Sequence, residues 1–323
     1  MLPLVGDRPL LGDALHRLQP LVAGRQTLVL TNAALRATIT DTSAPYGVPP
    51  DNVLVEPRPA GTAAALTWAA AEIERRSGPA SIMISVHADW AVADDERFRL
   101  ALTRAADMAC EHRSLVTVGI VPTRPDSGYG YIRRGPEVAP GVFAVARFVE
   151  KPNVARAKEM VAEHYLWNSG IFVWRVGDFL DEVRRHTPEV AVALDGDRAR
   201  GGDADAFFAA ARSVSVDVGV LERSQRVLVI PGDFGWDDVG TWAALRRVRE
   251  PDADGNAVHG QVYAKEARNN VVHAEGGAVV LYGVSDLVVV TRDGLTLVTT
   301  VERSADLKSL VESLPGWLAD RPT

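Results

Sequence analysis

The chain carries a single cysteine, Cys110, in 323 residues. One thiol makes no intrachain disulfide and no multi-cysteine zinc site; this fits a reducing compartment, and the cytoplasm is the expected location. Lysine is scarce, with only Lys151, Lys158, Lys265 and Lys308. The net charge is −7 and no run of basic residues occurs, so nucleic acid is not an expected partner and a polyanionic substrate has to meet positive charge locally. No uninterrupted apolar run approaches roughly eighteen residues, and Met1 to Leu15 lacks a basic start followed by an apolar stretch, so neither a membrane span nor a secretory leader is read. The seven histidines show no H-x-x-x-H spacing, which argues against catalytic zinc. No G-x-S-x-G elbow exists to support nucleophilic hydrolysis.

What is present is ordinary globular composition, 47% hydrophobic and 24% charged, in a chain longer than one core usually fills. A domain over 1–250 and a smaller one over 251–323 are expected. From Gln26 to about Val121, short β-rich runs at Thr27–Thr31, Asn52–Val55, Ser81–Val86 and Ser114–Val121 alternate with helical patterns at Leu10–Leu18, Thr62–Arg75 and Asp95–Glu111. That alternation indicates an α/β sheet with crossover helices, and strands apolar on both faces suggest parallel pairing. Gly128–Tyr131 and Ala144–Val149 read as an antiparallel excursion. After Pro251–Asn256, short β runs separated by Gly, Asn or Asp form a separate β-domain; their periodicity leaves a sandwich, a barrel and a stacked β-helix open.

The densest motif is Asp233-Phe234-Gly235-Trp236-Asp237-Asp238-Val239-Gly240-Thr241-Trp242. Gly235 and Gly240 read as turn positions, the tryptophans as walls of a pocket, and an Asp between them as a ligand for a divalent cation; a tight surface turn is the plain alternative. Asp89 follows the strand Ser81–Val86, at a carboxyl end where open α/β sheets bind ligands, or else it caps a helix. Asp89 and Asp238 together suit Mg²⁺, which takes one or two carboxylates plus phosphate oxygens. Glu56 and Pro57 precede Gly61 and Thr62 between a strand and an alanine-rich helix whose small residues permit close approach of a ligand. A carboxylate there matches the two adjacent donors of guanine, while a Pro-rich connector is the alternative. Gly130, Glu150 and Asn168 lie in strand-like glycine- or proline-containing motifs and suit sugar hydroxyls, and Lys151 suits a phosphate.

These segments, in order, resemble the nucleotidyltransferases that make nucleotide sugars, in particular the mannose-1-phosphate guanylyltransferase family. The resemblance runs from Glu56-Pro57 and His87-Ala88-Asp89 through Gly119–Ile132, Phe148–Pro152 and Trp167–Phe172 to Gly235–Trp242 and Gly283–Val290. It implies a Rossmann-like catalytic domain with a left-handed β-helix-like C-terminal domain, and Asp89 and Asp238 holding Mg²⁺. It also implies base contacts from the Glu56–Thr62 loop and a sugar-phosphate site around Gly130, Glu150, Lys151 and Asn168. The implied substrates are GTP and mannose 1-phosphate, and a homodimer is left open. Ala60, Ala64 and Trp90 depart from residues often seen at these positions.

The family's opening strand and glycine-rich triphosphate loop have no counterpart at Met1–Leu11, so the runs at Thr27–Thr31 and Ser81–Val86 are expected to face a gap and turnover to be poor. Alternatives are another sugar-1-phosphate or nucleotide, a non-catalytic sugar-nucleotide-binding regulator, or a structural β-domain protein.

Overall fold

A computed structural model describes residues 3–200 and 202–319. Its strands are β1 (Val29–Asn32), β2 (Val53–Glu56), β3 (Ile82–Ser85), β4 (Ala91–Val92), β5 (Leu115–Ile120), β6 (Tyr131–Ala139) and β7 (Val142–Val149). They continue with β8 (Leu166–Arg175), β9 (Val227–Gly232), β10 (Trp236–Asp237), β11 (Ala257–Lys265), β12 (Val271–Tyr282), β13 (Leu287–Arg292) and β14 (Leu295–Thr300). Helices α1 (Leu10–Leu18), α2 (Arg36–Ser43), α3 (Gly61–Ser77), α4 (Asp95–His112), α5 (Val154–Ala162), α6 (Val176–His186), α7 (Pro188–Arg200) and α8 (Ala204–Ala210) intervene. Two compact units result: a larger one of Leu11–Ala88 and Asp94–Phe234, and a smaller one of the residues up to Leu10, Asp89–Ala93 and the chain from Gly235 onward. No described helix is long and apolar enough to cross a membrane.

In the larger unit β1 and β2 form a parallel pair, from Val29↔Val53 to Asn32↔Glu56. The main sheet runs β3-β8-β5-β9-β7-β6. Only β5 and β9 are parallel within it; β8 enters antiparallel between β3 and β5, and β7 pairs antiparallel with both β6 and β9. The expectation of a parallel sheet is therefore corrected to a mixed one. The strands read between Gln26 and Val121 do include the parallel pair β1–β2; the sheet is mixed because β8, which lies outside that range, enters between β3 and β5 in the opposite direction. Among the described residues β1 pairs only with β2, and β3 only with β8, so each keeps one open edge.

Helix α3 begins with Gly61 at φ +78 and ends against Gly78. Its Ala63, Ala64, Ala69 and Ala70 face the core, almost fully buried, rather than a ligand. Small residues let α3 lie close to α6 and α7, and Trp68 packs on Phe207 and Phe208 of α8 at 5.2 and 6.1 Å. Trp174 on β8 stacks on Phe179 of α6 at 4.1 Å.

In the smaller unit β11, β12 and β13 run parallel and β14 returns antiparallel. Two expected runs, Asn270–His273 and Ala278–Tyr282, are one strand, β12, whose register with β11 shifts at His259/Gln261. At that shift Gly260, at φ +88, passes against the Ala274 carbonyl. Successive turns are tied by buried asparagines: Asn270 Nδ2 donates to Asn256 Oδ1 at 2.9 Å, and Asn270 Oδ1 accepts from Leu287 N–H at 2.9 Å. Stacked parallel strands with such a ladder agree with a β-helix-like coil.

Behind this sheet lies a buried polar chain. Arg249 donates to Leu4 O, Val272 O and His273 Nδ1, while His273 Nε2 faces Glu275 at 3.2 Å and the ring stacks on His259 at 4.7 Å. Burial pushes the Arg249 guanidinium down to about 10. Burial also pushes His273 below its ordinary 6.5, with Arg249 and His259 adding to the effect and Glu275 opposing it. The unfolded chain therefore takes up a proton at pH values where the folded one does not, so stability is intact above about pH 6.5 and falls as pH drops through the window below it. We expect His273→Gln to flatten the fall in calorimetric melting temperature between pH 7 and 5.5. A slope equal to that of the unaltered protein would remove His273 from this role.

Candidate active site

Glu56 ends β2 directly beside Asn32, the last residue of β1. Both thus sit at the carboxyl ends of adjacent parallel strands, where α/β folds open toward ligands. Thr31–Leu35 and Glu56–Pro59 line a cleft of about 580 Å³. Partial burial pushes the Glu56 carboxyl above its usual range, which favours a hydrogen-bonding partner over bulk water. Asn32 was not singled out by the sequence, although its position at a strand's carboxyl end is the signal that would have found it. Arg58, among the residues that line the cleft, donates to the carbonyls of Ala209 and Ala211 at 3.2 and 2.7 Å.

Gly61 and Thr62 hold the start of α3 against the segment around Val214. Thr62 Oγ1 accepts from Val216 N–H at 2.9 Å, Ala63 N–H donates to Val214 O at 3.1 Å, and Gly61 packs directly on the Val214 backbone. The loop from Glu56 to Thr62 is thus docked on the segment that leads into Asp217.

Asp217 opens a short π-helical turn, Asp217–Leu221, a feature often found at functional sites. It accepts from Asn168 Nδ2 at 2.7 Å. Asn168 N–H in turn donates to Gly130 O at 2.8 Å, which sets Asn168 beside the Gly130 backbone. A Cβ on Gly130 would come within 2.7 Å of Glu150 Oε2 and 3.4 Å of Asn168 Cβ, so the glycine makes room for both side chains. Lys151, at φ 42, places its Nζ 3.6 Å from Glu150 Oε1. His87 packs over Gly170, where a Cβ would lie 2.8 Å from its Nε2. Gly130, Glu150, Lys151 and Asn168 are therefore one group, with Asp217 added. Nothing in the local sequence around Asp217 marks it, because its partner lies 49 residues away.

Asp89 and Asp238 belong to the smaller unit and flank two strands that pair: Asp89 lies two residues before β4, and Asp238 directly follows β10. β4 and β10 are antiparallel, with Asp237 opposite Ala91 and Trp236 opposite Val92. Trp90 and Trp236 meet edge to face at 6.2 Å. Gly235, at φ +66, has Ala93 Cβ 2.5 Å from where its own Cβ would stand. The second expected turn glycine is corrected: the left-handed residue is Val239, at φ 48, and Gly240 instead leaves space for Asp238, whose Oδ2 lies 2.9 Å from the position of a Cβ. Asp89 is exposed, Asp238 half-buried and Asp237 buried. Trp242 lines a cavity of about 370 Å³ with Val239, Leu245 and Lys308.

No cluster of three or more His, Cys, Asp or Glu side chains able to hold a metal occurs among the described residues. Mg²⁺ does not need one, since phosphate oxygens and water complete its shell, and two carboxylates that flank the paired strands β4 and β10, Asp89 exposed and Asp238 half-buried, fit that requirement.

The family described as nucleotidyl transferase matches residues 1–255. The chain belongs to the nucleotidyl transferase family. It is 36% identical over 326 residues to the mannose-1-phosphate guanylyltransferase of Escherichia coli (strain K12), covering 96% of this chain and 67% of that protein. It is 36% identical over 322 residues to the xanthan biosynthesis protein XanB of Xanthomonas campestris pv. campestris (strain ATCC 33913), covering 97% and 68%. The chain thus spans about two thirds of the length of these curated relatives. The crystal structure described as mannose-1-phosphate geranyltransferase from Thermus thermophilus superimposes with a TM-score of 0.85 at 34% identity, over 94% of this chain and 88% of that one. As a nucleotidyl transferase family member, the chain has the Rossmann-like α/β domain and the small C-terminal sheet expected from its sequence.

Proposed function

We propose that this nucleotidyltransferase transfers GMP from GTP to mannose 1-phosphate, forming GDP-mannose and pyrophosphate. The phosphate oxygen of the sugar attacks the α-phosphorus of GTP, and the bond to the β-phosphate oxygen breaks, leaving pyrophosphate with the electron pair. A sugar phosphate is already an anionic nucleophile, so the protein needs no general base and acts by positioning and charge neutralisation. Asp89 and Asp238 are the carboxylates for Mg²⁺, which when bound neutralises phosphate charge. Glu56 accepts from the base, and Gly130, Glu150, Asn168 and Asp217 receive the sugar hydroxyls. Lys151, with its flexible stem, meets the sugar phosphate. The β4–β10 pairing is the observation that carries the reading, because it joins the two motifs that hold the acidic residues.

The reading is tested by the choice of base. With mannose 1-phosphate and Mg²⁺, GTP should be turned over in preference to ATP, UTP and dTTP. Glu56→Gln should raise KM for GTP about tenfold, as loss of a charge-assisted hydrogen bond does. A preference for another nucleotide would overturn the assignment of Glu56.

A further inference from the structure

The two adjacent aspartates of the Trp236–Trp242 motif are held in opposite ways. Asp237 is 6% exposed and accepts from Arg247 twice, Nε to Oδ2 at 2.5 Å and Nη2 to Oδ1 at 2.8 Å. Its Oδ1 also accepts from the N–H of Val239 at 3.1 Å, closing a tight turn across Asp238. The turn drives Val239 to φ 48, a conformation that a β-branched residue adopts only when its surroundings enforce it. Gly240 then lacks the Cβ that would crowd Asp238 Oδ2.

Residue 238 is thus fixed from both sides, by a clamped carboxylate before it and a strained residue after it. A buried carboxylate held by a bidentate arginine is weak evidence for stability, since desolvation offsets much of the attraction. Backbone strain of this kind gathers at functional positions. We infer that Asp237 and Arg247 are positioning residues that aim the Asp238 carboxylate at the divalent cation. The inference rests on the proposed role of Asp238.

The test uses the full chain with GDP-mannose present and Mn²⁺ as a paramagnetic probe, titrated by EPR. Arg247→Met should weaken Mn²⁺ binding about ten- to a hundredfold, the range for groups that orient metal ligands. Arg247→Lys should recover part of the loss, because an ammonium restores the charge but not the two-pronged geometry. Asp237→Asn keeps an oxygen for the Val239 N–H while losing the ionic clamp, and should show the same weakening with unchanged far-UV circular dichroism. It carries the test if Arg247→Met does not fold. Mn²⁺ affinity within twofold of the unaltered protein in the folded variants, with Asp238→Asn clearly weakened, would overturn the clamp alone. An Asp238→Asn protein that binds Mn²⁺ normally would overturn the role of Asp238, and the clamp with it.

Discussion

Asp238→Asn should lower turnover of GTP and mannose 1-phosphate by at least about a hundredfold, with the melting temperature changed by less than ~2 °C. The substitution keeps the size and shape of the side chain and removes only its charge. Asp238 is half-exposed, so an amide in its place leaves the surrounding packing unchanged. The charge matters where phosphate oxygens crowd together, because a carboxylate is what fixes the cation that neutralises them. Asp89→Asn should behave alike, since Asp89 is exposed and lies two residues before β4, the strand that pairs with β10 just ahead of Asp238. Steady-state turnover over a range of Mg²⁺ concentrations decides the matter. Undiminished turnover at every Mg²⁺ concentration would make Asp238 a turn residue and remove the basis of the proposed chemistry.

Much of this arrangement could be read from the chain. Helix α1 lies where its apolar spacing puts it, and the boundaries of β2, β3 and α4 follow their β-rich or periodic patterns to within a residue or two. The acidic motifs were legible because runs such as Gly-Trp-Asp-Asp combine residues that are costly without a purpose. What escaped depends on contacts distant in sequence. The direction of β8 comes from its neighbours β3 and β5, not from its own pattern. Asp217 gains meaning only through Asn168. Val239, rather than Gly240, takes the left-handed conformation because the Asp237 clamp imposes it, and glycine content alone predicts the reverse. The alanines of α3 suggested room for a ligand, but smallness serves helix packing equally well, and here they pack.

Gly61→Ala should destabilise the protein by about 2–4 kcal/mol and raise KM for mannose 1-phosphate about tenfold. Two costs add. Alanine at φ +78 is strained by itself, and its Cβ would approach Val214 N to 2.8 Å and Val214 C to 2.9 Å, with the Val214 carbonyl oxygen nearer still. These are backbone atoms, so the conflict is relieved only by moving the segment. Moving it breaks the bond from Ala63 N–H to Val214 O and the bond from Val216 N–H to Thr62 Oγ1. One residue further on, Asp217 moves away from Asn168, so damage in the Glu56–Thr62 loop reaches the proposed sugar contacts. Gly141→Ala separates the two costs: Gly141 has φ +70 but nothing within 4 Å of a Cβ, so it should lose only about 1 kcal/mol and leave KM unchanged. Chemical denaturation and sugar-phosphate kinetics on both variants give the comparison. If Gly61→Ala unfolds and turns over as Gly141→Ala does, the docking of the Glu56–Thr62 loop on Val214 does not connect that loop with Asn168 and Asp217.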